Sequence, residues 1–141
     1  TAKVNLDSIL KNGLRPGAYL AADDWLADYY AEIIEDEECR SAVVLQVAMD
    51  DLNKEFLEPD YPGIDEPITM LLDLDEESIH AQWGDSRQTW EDSLSLIRSV
   101  RYAAVIAPEN ILVADVNGST MRLDAYCRMV SSTPIQPPAV T

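Results

Sequence analysis

The five residues GLRPG, at positions 13–17, force the chain to change direction close to its start. Gly13 has the backbone freedom that a helix C-terminal cap needs, and Pro16 cannot continue a helix. The preceding residues form an apolar stripe at helical spacing, made by Leu6, Ile9 and Leu10. The pattern predicts a short helix with Asn5 as its N-cap, followed by a turn.

Short elements of both kinds follow that turn. Residues 18–21 are predicted to form a strand, and Asp23 or Asp24 caps a second helix over residues 25–34. The acidic run EDEE at 35–38 then predicts a solvated loop, since carboxylates are unfavourable at a helix C-terminus. Residues 43–49 form a nearly continuous apolar, β-branched run, which predicts a central strand buried on both faces.

The second half of the chain begins irregularly and then regains a pattern. Residues 50–88 contain several prolines, and PITMLLDL within them fits either a strand or one helical turn. Thr89 with Asp92 resembles a capping box and predicts a third helix. VRYAAVIAPENILVADV predicts two strands broken at Pro108, and Asn117-Gly118 predicts a hairpin whose return strand covers residues 119–130.

The length and the order of these elements predict one α+β domain. We expect the domain to cover residues 1–130, with split antiparallel sheets flanked by helices. The proline-rich residues 131–141 lack a packing pattern and predict a disordered tail.

The net charge of −16 restricts the partners of the protein. Twenty-six Asp and Glu against ten Lys and Arg repel a phosphate backbone, which disfavours nucleic-acid binding through a broad surface. Three explanations of the acidity remain open: solubility, a salt-rich cytoplasm, or an acidic face that meets a basic protein.

Signatures of common sites and compartments are missing from the sequence. There is no Walker loop, no HExxH and no CxxC pair, and His80, the single histidine, is expected in an irregular loop. No metal site is predicted, because the carboxylates around Asp75 lack the spacing of a calcium loop.

Cys39 and Cys127 predict reduced thiols in a cytoplasmic protein, and no apolar run predicts a membrane span or a secretory leader.

Three segments resemble the ADP-ribosyltransferase fold, which diphtheria-toxin-like transferases, poly(ADP-ribose) polymerases and RNA 2′-phosphotransferases share. NLDSILKNGLRPGAYLAADDWLADYYAE is similar to the N-terminal half of that fold. VVLQVAMDDLNKEFLEPD is similar to its central strand and the following loop, and VRYAAVIAPENILV to a late strand. The three segments comprise 60 of the 141 residues and follow the same order as in that fold. The resemblance implies an ADP-ribosyltransferase-like domain that uses NAD.

The resemblance implies a nicotinamide site made of tyrosines. A tyrosine of the short strand and one of the following helix flank the nicotinamide ring in that family. The matching positions here are Tyr19 and Tyr29, with Tyr30 as an alternative for the second. Two aromatic faces suit a planar cation, because stacking and cation–π attraction act together.

The catalytic acid departs from the family pattern. The family's glutamate opens the strand that reads RSVRYAAV here, which offers arginines (Arg98 and Arg101) and no acid. Glu91, about two turns upstream on the predicted helix, is the substitute candidate. The family's ribose-binding histidine would precede Thr1.

Two functions therefore remain open. One is an NAD-dependent ADP-ribosyltransferase of a phage or bacterial toxin type, which modifies a protein or nucleic-acid target. The alternative is a catalytically degenerate acidic protein that binds and inhibits a basic partner by charge mimicry.

Overall fold

The computed structural model describes residues 1–37, 41–116 and 119–132. Within these ranges it contains six α-helices: α1 Leu6–Asn12, α2 Asp24–Glu37, α3 Tyr61–Asp65, α4 Glu76–Asp85, α5 Trp90–Ile97 and α6 Leu123–Ser132. The described strands are β1 Ala18–Ala21, β2 Leu45–Val47, β3 Leu57–Pro59, β4 Ser99–Tyr102, β5 Ile111–Val116 and β6 Ser119–Arg122. Short 3-10 helices connect several of these elements.

The strands form two separate three-stranded antiparallel sheets. The first has the order β1-β4-β3 and the second the order β2-β5-β6. The prediction of an α+β fold with split antiparallel sheets and flanking helices is therefore confirmed. Because β1 and β2 are each the end strand of their sheet, each has one edge that no strand of the described chain pairs with.

Two apolar clusters hold the elements together. The larger one joins both sheets to α1 and α6, and its most buried members are Ile111, Val113 and Leu123. The smaller one consists of Ile64, Ile79 and Ile97, which bring α3, α4 and α5 together. Burial of these side chains is the main favourable term that fixes the elements against one another.

Several local predictions are confirmed. β1 covers the predicted four residues, and Pro108 lies between β4 and β5. Thr89 and Asp92 form a capping box, in which each side chain accepts a hydrogen bond from the backbone N–H of the other residue. α5 follows from this cap, as expected.

Three predictions about the first half are wrong. Asn5 makes no side-chain cap, because a 3-10 helix over Lys3–Asn5 gives it helical backbone angles. The acidic run does not form a loop at residues 35–37, since α2 continues through Glu37 with those side chains exposed. Residues 43–49 do not form a central strand: only Leu45–Val47 forms a strand, at a sheet edge, with Gln46 exposed.

Three predictions about the second half are also corrected. His80 lies on α4 and not in a loop, and residues 50–88 contain β3, α3 and α4. PITMLLDL is predicted to form either a strand or one helical turn. The structure shows a helical turn, a 3-10 helix over Thr69–Leu71. The return strand ends at Arg122, and α6 begins at the next residue. α6 continues through residues 131–132, which are predicted to belong to the tail. Asn117-Gly118 and the tail from 133 onward lie outside the described residues, as does Cys39.

Candidate functional site

A cleft of about 570 Å³ separates the two sheets. Its walls are the free edges of β1 and β2, the inner face of α2, and the start of α3. The lining side chains that matter for chemistry are Tyr19, Tyr30, Asp60, Glu66 and Ser99. A volume of this size lies within the range of small-molecule sites. A second cavity of about 20 Å³ shares Tyr30, Asp60 and Glu66 with the cleft, and it has room for about one water molecule.

The two tyrosines of the cleft come from neighbouring elements. Tyr19 lies on β1 and is 55% exposed. Tyr30 lies on α2, which buries Leu26 on the side facing the protein. Tyr29 is not a lining residue; its ring packs edge to face against Tyr30, with 5.6 Å between the ring centroids. The structure therefore brings Tyr19 and Tyr30 to one cleft and places Tyr29 beside Tyr30.

Asp60 anchors the inner wall and is only 6% exposed. One carboxylate oxygen accepts the Gly63 N–H at 2.9 Å, which caps α3, and the other accepts the Ser99 hydroxyl at 2.7 Å. The Asp60 N–H donates to the Ser93 hydroxyl oxygen at 3.0 Å, and that hydroxyl donates to the Ser99 carbonyl. This network joins α3, α5 and β4 and holds a carboxylate at a fixed position in the cleft.

The electrostatics of the cleft are negative. Asp60 and Glu66 are its charged lining side chains, and no Lys or Arg side chain lines it in the part of the chain that the structure describes. Burial raises the pKa of the Tyr30 hydroxyl, and the nearby charges of Asp60 and Tyr29 raise it further. Tyr30 therefore stays neutral at physiological pH and keeps its O–H as a hydrogen-bond donor.

The predicted acid lies elsewhere. Glu91 is exposed in the first turn of α5 and is not one of the lining residues of the cleft. The sequence pattern did not indicate Asp60, Ser99 or Glu66 as residues of the site. Asp60 carried one readable signal, because an Asp two residues before Pro62 is typical of a helix start. Ser99 and Glu66 had no signal, since only packing brings them to the cleft.

Other candidate groups are not arranged for catalysis. Cys127 is a free thiol whose pKa burial raises, with added contributions from Asp7 and Asp124, so it is a poor nucleophile. His80 Nε2 lies 2.8 Å from the Ile64 carbonyl oxygen and supports the end of α3. Among the described residues, no group of three or more His, Cys, Asp and Glu could hold a metal ion.

Comparisons with protein-family models, with curated proteins and with solved structures find no match to this chain. No helix in the described part of the chain is long and apolar enough to cross a bilayer.

Proposed function

We propose that the protein is an NAD-dependent ADP-ribosyltransferase that binds the nicotinamide end of NAD in the cleft between its sheets. One observation carries the proposal: two tyrosines and two carboxylates line the same cleft, and no Lys or Arg lines it among the described residues. This combination suits a planar, positively charged ring. The ordered resemblance of three segments to ADP-ribosyltransferases supports the same ligand.

Each lining group has a role in this proposal. Tyr19 and Tyr30 provide aromatic faces for the ring, and Tyr29 positions Tyr30 by edge-to-face packing. Asp60 is fixed by its hydrogen bonds and supplies negative charge at the inner wall. Glu66 is exposed at the outer wall, and its carboxylate is therefore free to approach a bound ribose.

The proposed reaction breaks the bond between the ribose C1′ and the nicotinamide nitrogen. The bonding electrons go to the nicotinamide ring, which leaves neutral, and positive charge develops on the ribose. Glu66 stabilises this oxocarbenium-like state, because a carboxylate interacts more strongly with the developing charge than with the ground state. A nucleophile of the target macromolecule then bonds to C1′ and loses its proton.

NAD binding is the first test. NAD should raise the melting temperature, and Tyr30→Ala should weaken NAD binding by about 0.5 to 2 kcal/mol, since one aromatic face is lost. Tyr61→Ala is the matched control, because Tyr61 is similarly exposed but lies outside the cleft lining. Calorimetry that detects no NAD binding at millimolar concentration would exclude the enzyme.

The acid is tested separately by transfer of labelled ADP-ribose. We expect Glu66→Gln to retain NAD binding and to abolish transfer to proteins of a cell lysate, since only the charge is removed. Glu91→Gln should transfer at the wild-type rate. The opposite pattern, with Glu91→Gln inactive and Glu66→Gln active, would assign the acid to Glu91.

A second candidate function is binding to a basic partner by charge mimicry. The observation that favours it is an exposed row of carboxylates along α2, spaced four residues apart: Asp24, Asp28, Glu32 and Asp36. α2 carries no Lys or Arg to offset them. This candidate predicts salt-sensitive binding to a basic protein that Asp28→Asn with Glu32→Gln weakens and NAD does not affect.

A further inference from the structure

The charge of the cleft creates a problem for the rest of an NAD molecule. The nicotinamide ring is a cation, but the dinucleotide also carries two phosphates. Asp60 and Glu66 line the cleft without a Lys or Arg beside them in the described residues, so a diphosphate inside it would be repelled. The phosphates of a ligand bound there must therefore lie outside, next to a cation at the mouth.

Arg101 is the cation that the sheet places next to this mouth. In the antiparallel pairing of β1 with β4, Tyr19 is directly opposite Arg101 and Ala21 is directly opposite Ser99. Residues opposite each other share a face of a sheet, as do residues two apart on one strand. Tyr19 and Ser99 both line the cleft, so Arg101 shares a face of the sheet with two lining residues, although it is not a lining residue itself.

The guanidinium of Arg101 is held in place on two sides. Its Nη1 donates to a Glu58 carboxylate oxygen at 2.6 Å, across the pair formed by β3 and β4. A Cβ at Gly17 would lie 2.8 Å from Nη2, so the absence of a side chain there leaves room for the group. The Arg101 side chain is 35% exposed. Its remaining N–H donors can therefore reach a ligand.

We propose that Arg101 binds the diphosphate of a dinucleotide whose nicotinamide lies between Tyr19 and Tyr30. This inference depends on the function proposed above and assigns a second part of the same site. Glu58 orients the guanidinium, and the planar fork of N–H groups suits phosphate oxygens. Arg101 then distinguishes ligands that carry phosphates from those that do not.

The test compares two probes by calorimetry at low salt: NAD, and nicotinamide riboside, which has the cationic ring but no phosphate. Arg101→Gln should weaken NAD binding about tenfold to a hundredfold and leave nicotinamide riboside unchanged, because only a charged hydrogen bond to phosphate is lost. Arg101→Lys should give an intermediate loss, since it keeps the charge but not the fork.

Arg98→Gln is the matched control, because it removes the same charge from an exposed arginine that faces Asp23 at 3.7 Å. It should bind both probes as the wild type does. If Arg101→Gln does not fold, the double variant Glu58→Gln, Arg101→Gln replaces it. The double variant also removes the Glu58 carboxylate, which would otherwise have lost its partner. Equal weakening of both probes, or no weakening of NAD, would overturn the role of Arg101. A wild-type protein that binds neither probe would overturn the proposed function as well.

Discussion

At the scale of single residues, Asp60 shows how a polar group can be buried without destabilising the protein. Its carboxylate accepts a backbone N–H from Gly63 and a hydroxyl from Ser99, so both oxygens have partners. A buried carboxylate without partners would cost several kcal/mol. Among the described residues no buried side-chain polar atom lacks a partner. The polar wall of the cleft is therefore compatible with a stable core.

Gly13 gives the first prediction, at the same scale. Its φ is +75°, and a Cβ would clash with the Ile106 carbonyl oxygen. Gly13→Ala should therefore destabilise the protein by about 2 kcal/mol or more, through backbone strain and the clash. Urea unfolding followed by circular dichroism measures this change.

The matched control for that prediction is Gly84→Ala on α4. A Cβ at Gly84 would meet nothing within 4 Å, so the substitution should stabilise the protein by about 0.5 to 1 kcal/mol. Equal effects of the two substitutions would show that Gly13 does not need its left-handed conformation.

At the scale of elements, side-chain caps define where the helices of the second half begin. Asp75 caps α4 by accepting the Ser78 N–H at 2.7 Å, and Thr89 caps α5 within its capping box. Each cap satisfies a backbone donor that the helix leaves without a partner. α4 has a weak apolar stripe, and its position depends on Ile79, which is fully buried.

The cap of α4 gives the second prediction, which concerns pH. Hydrogen bonds from Ser78 hold the pKa of Asp75 below its ordinary value of 3.8. Since the folded pKa is the lower one, the cap stabilises the protein at pH values above the unfolded pKa, and this contribution is lost as the pH falls through the folded pKa. Asp75→Ala should therefore lower the melting temperature at pH 6.

The difference in melting temperature between the wild type and Asp75→Ala should shrink as the pH falls from 6 towards 2, because the wild-type carboxyl becomes protonated as the pH passes through its folded pKa. Asp73→Ala is the control, since Asp73 is an exposed carboxylate on the same segment. A difference between wild type and Asp75→Ala that is as large at pH 2 as at pH 6 would contradict a role of the charge in the cap.

At the scale of the whole molecule, the excess of negative charge is the dominant electrostatic feature. With a net charge of −16, most carboxylates have no cation to pair with. The row of acids on α2 and the acids near the cleft repel one another within a small volume. This repulsion opposes the compact state more than the unfolded one.

The third prediction follows from this repulsion. The melting temperature should rise as NaCl increases from ~10 mM to ~0.5 M, because salt screens repulsion among exposed charges. Differential scanning calorimetry at pH 7 measures this change. An unchanged or lower melting temperature over that range would show that attractive pairs, such as Arg101 with Glu58, outweigh the repulsion.

Local chemistry made several elements predictable. The stripe before Gly13, the strand over residues 18–21 and the capping box at Thr89 depend on neighbouring residues alone, and all three are found in the structure. For the site, the sequence indicated Tyr19 and, only as an alternative to Tyr29, Tyr30, since β1 and α2 are adjacent along the chain. It did not indicate the acids, because Asp60 and Glu66 come from a segment without a clear periodicity.

What the sequence determined by itself is the class of fold, the order of most elements and the negative charge, because these depend on composition and short-range pattern. Tertiary structure alone decided that residues 45–47 form an edge strand, that His80 lies on a helix, and that α6 replaces most of the predicted return strand. The physical reason is that burial is a property of long-range packing. The same apolar run can be central or peripheral, and only the arrangement of the two sheets leaves a cleft between them.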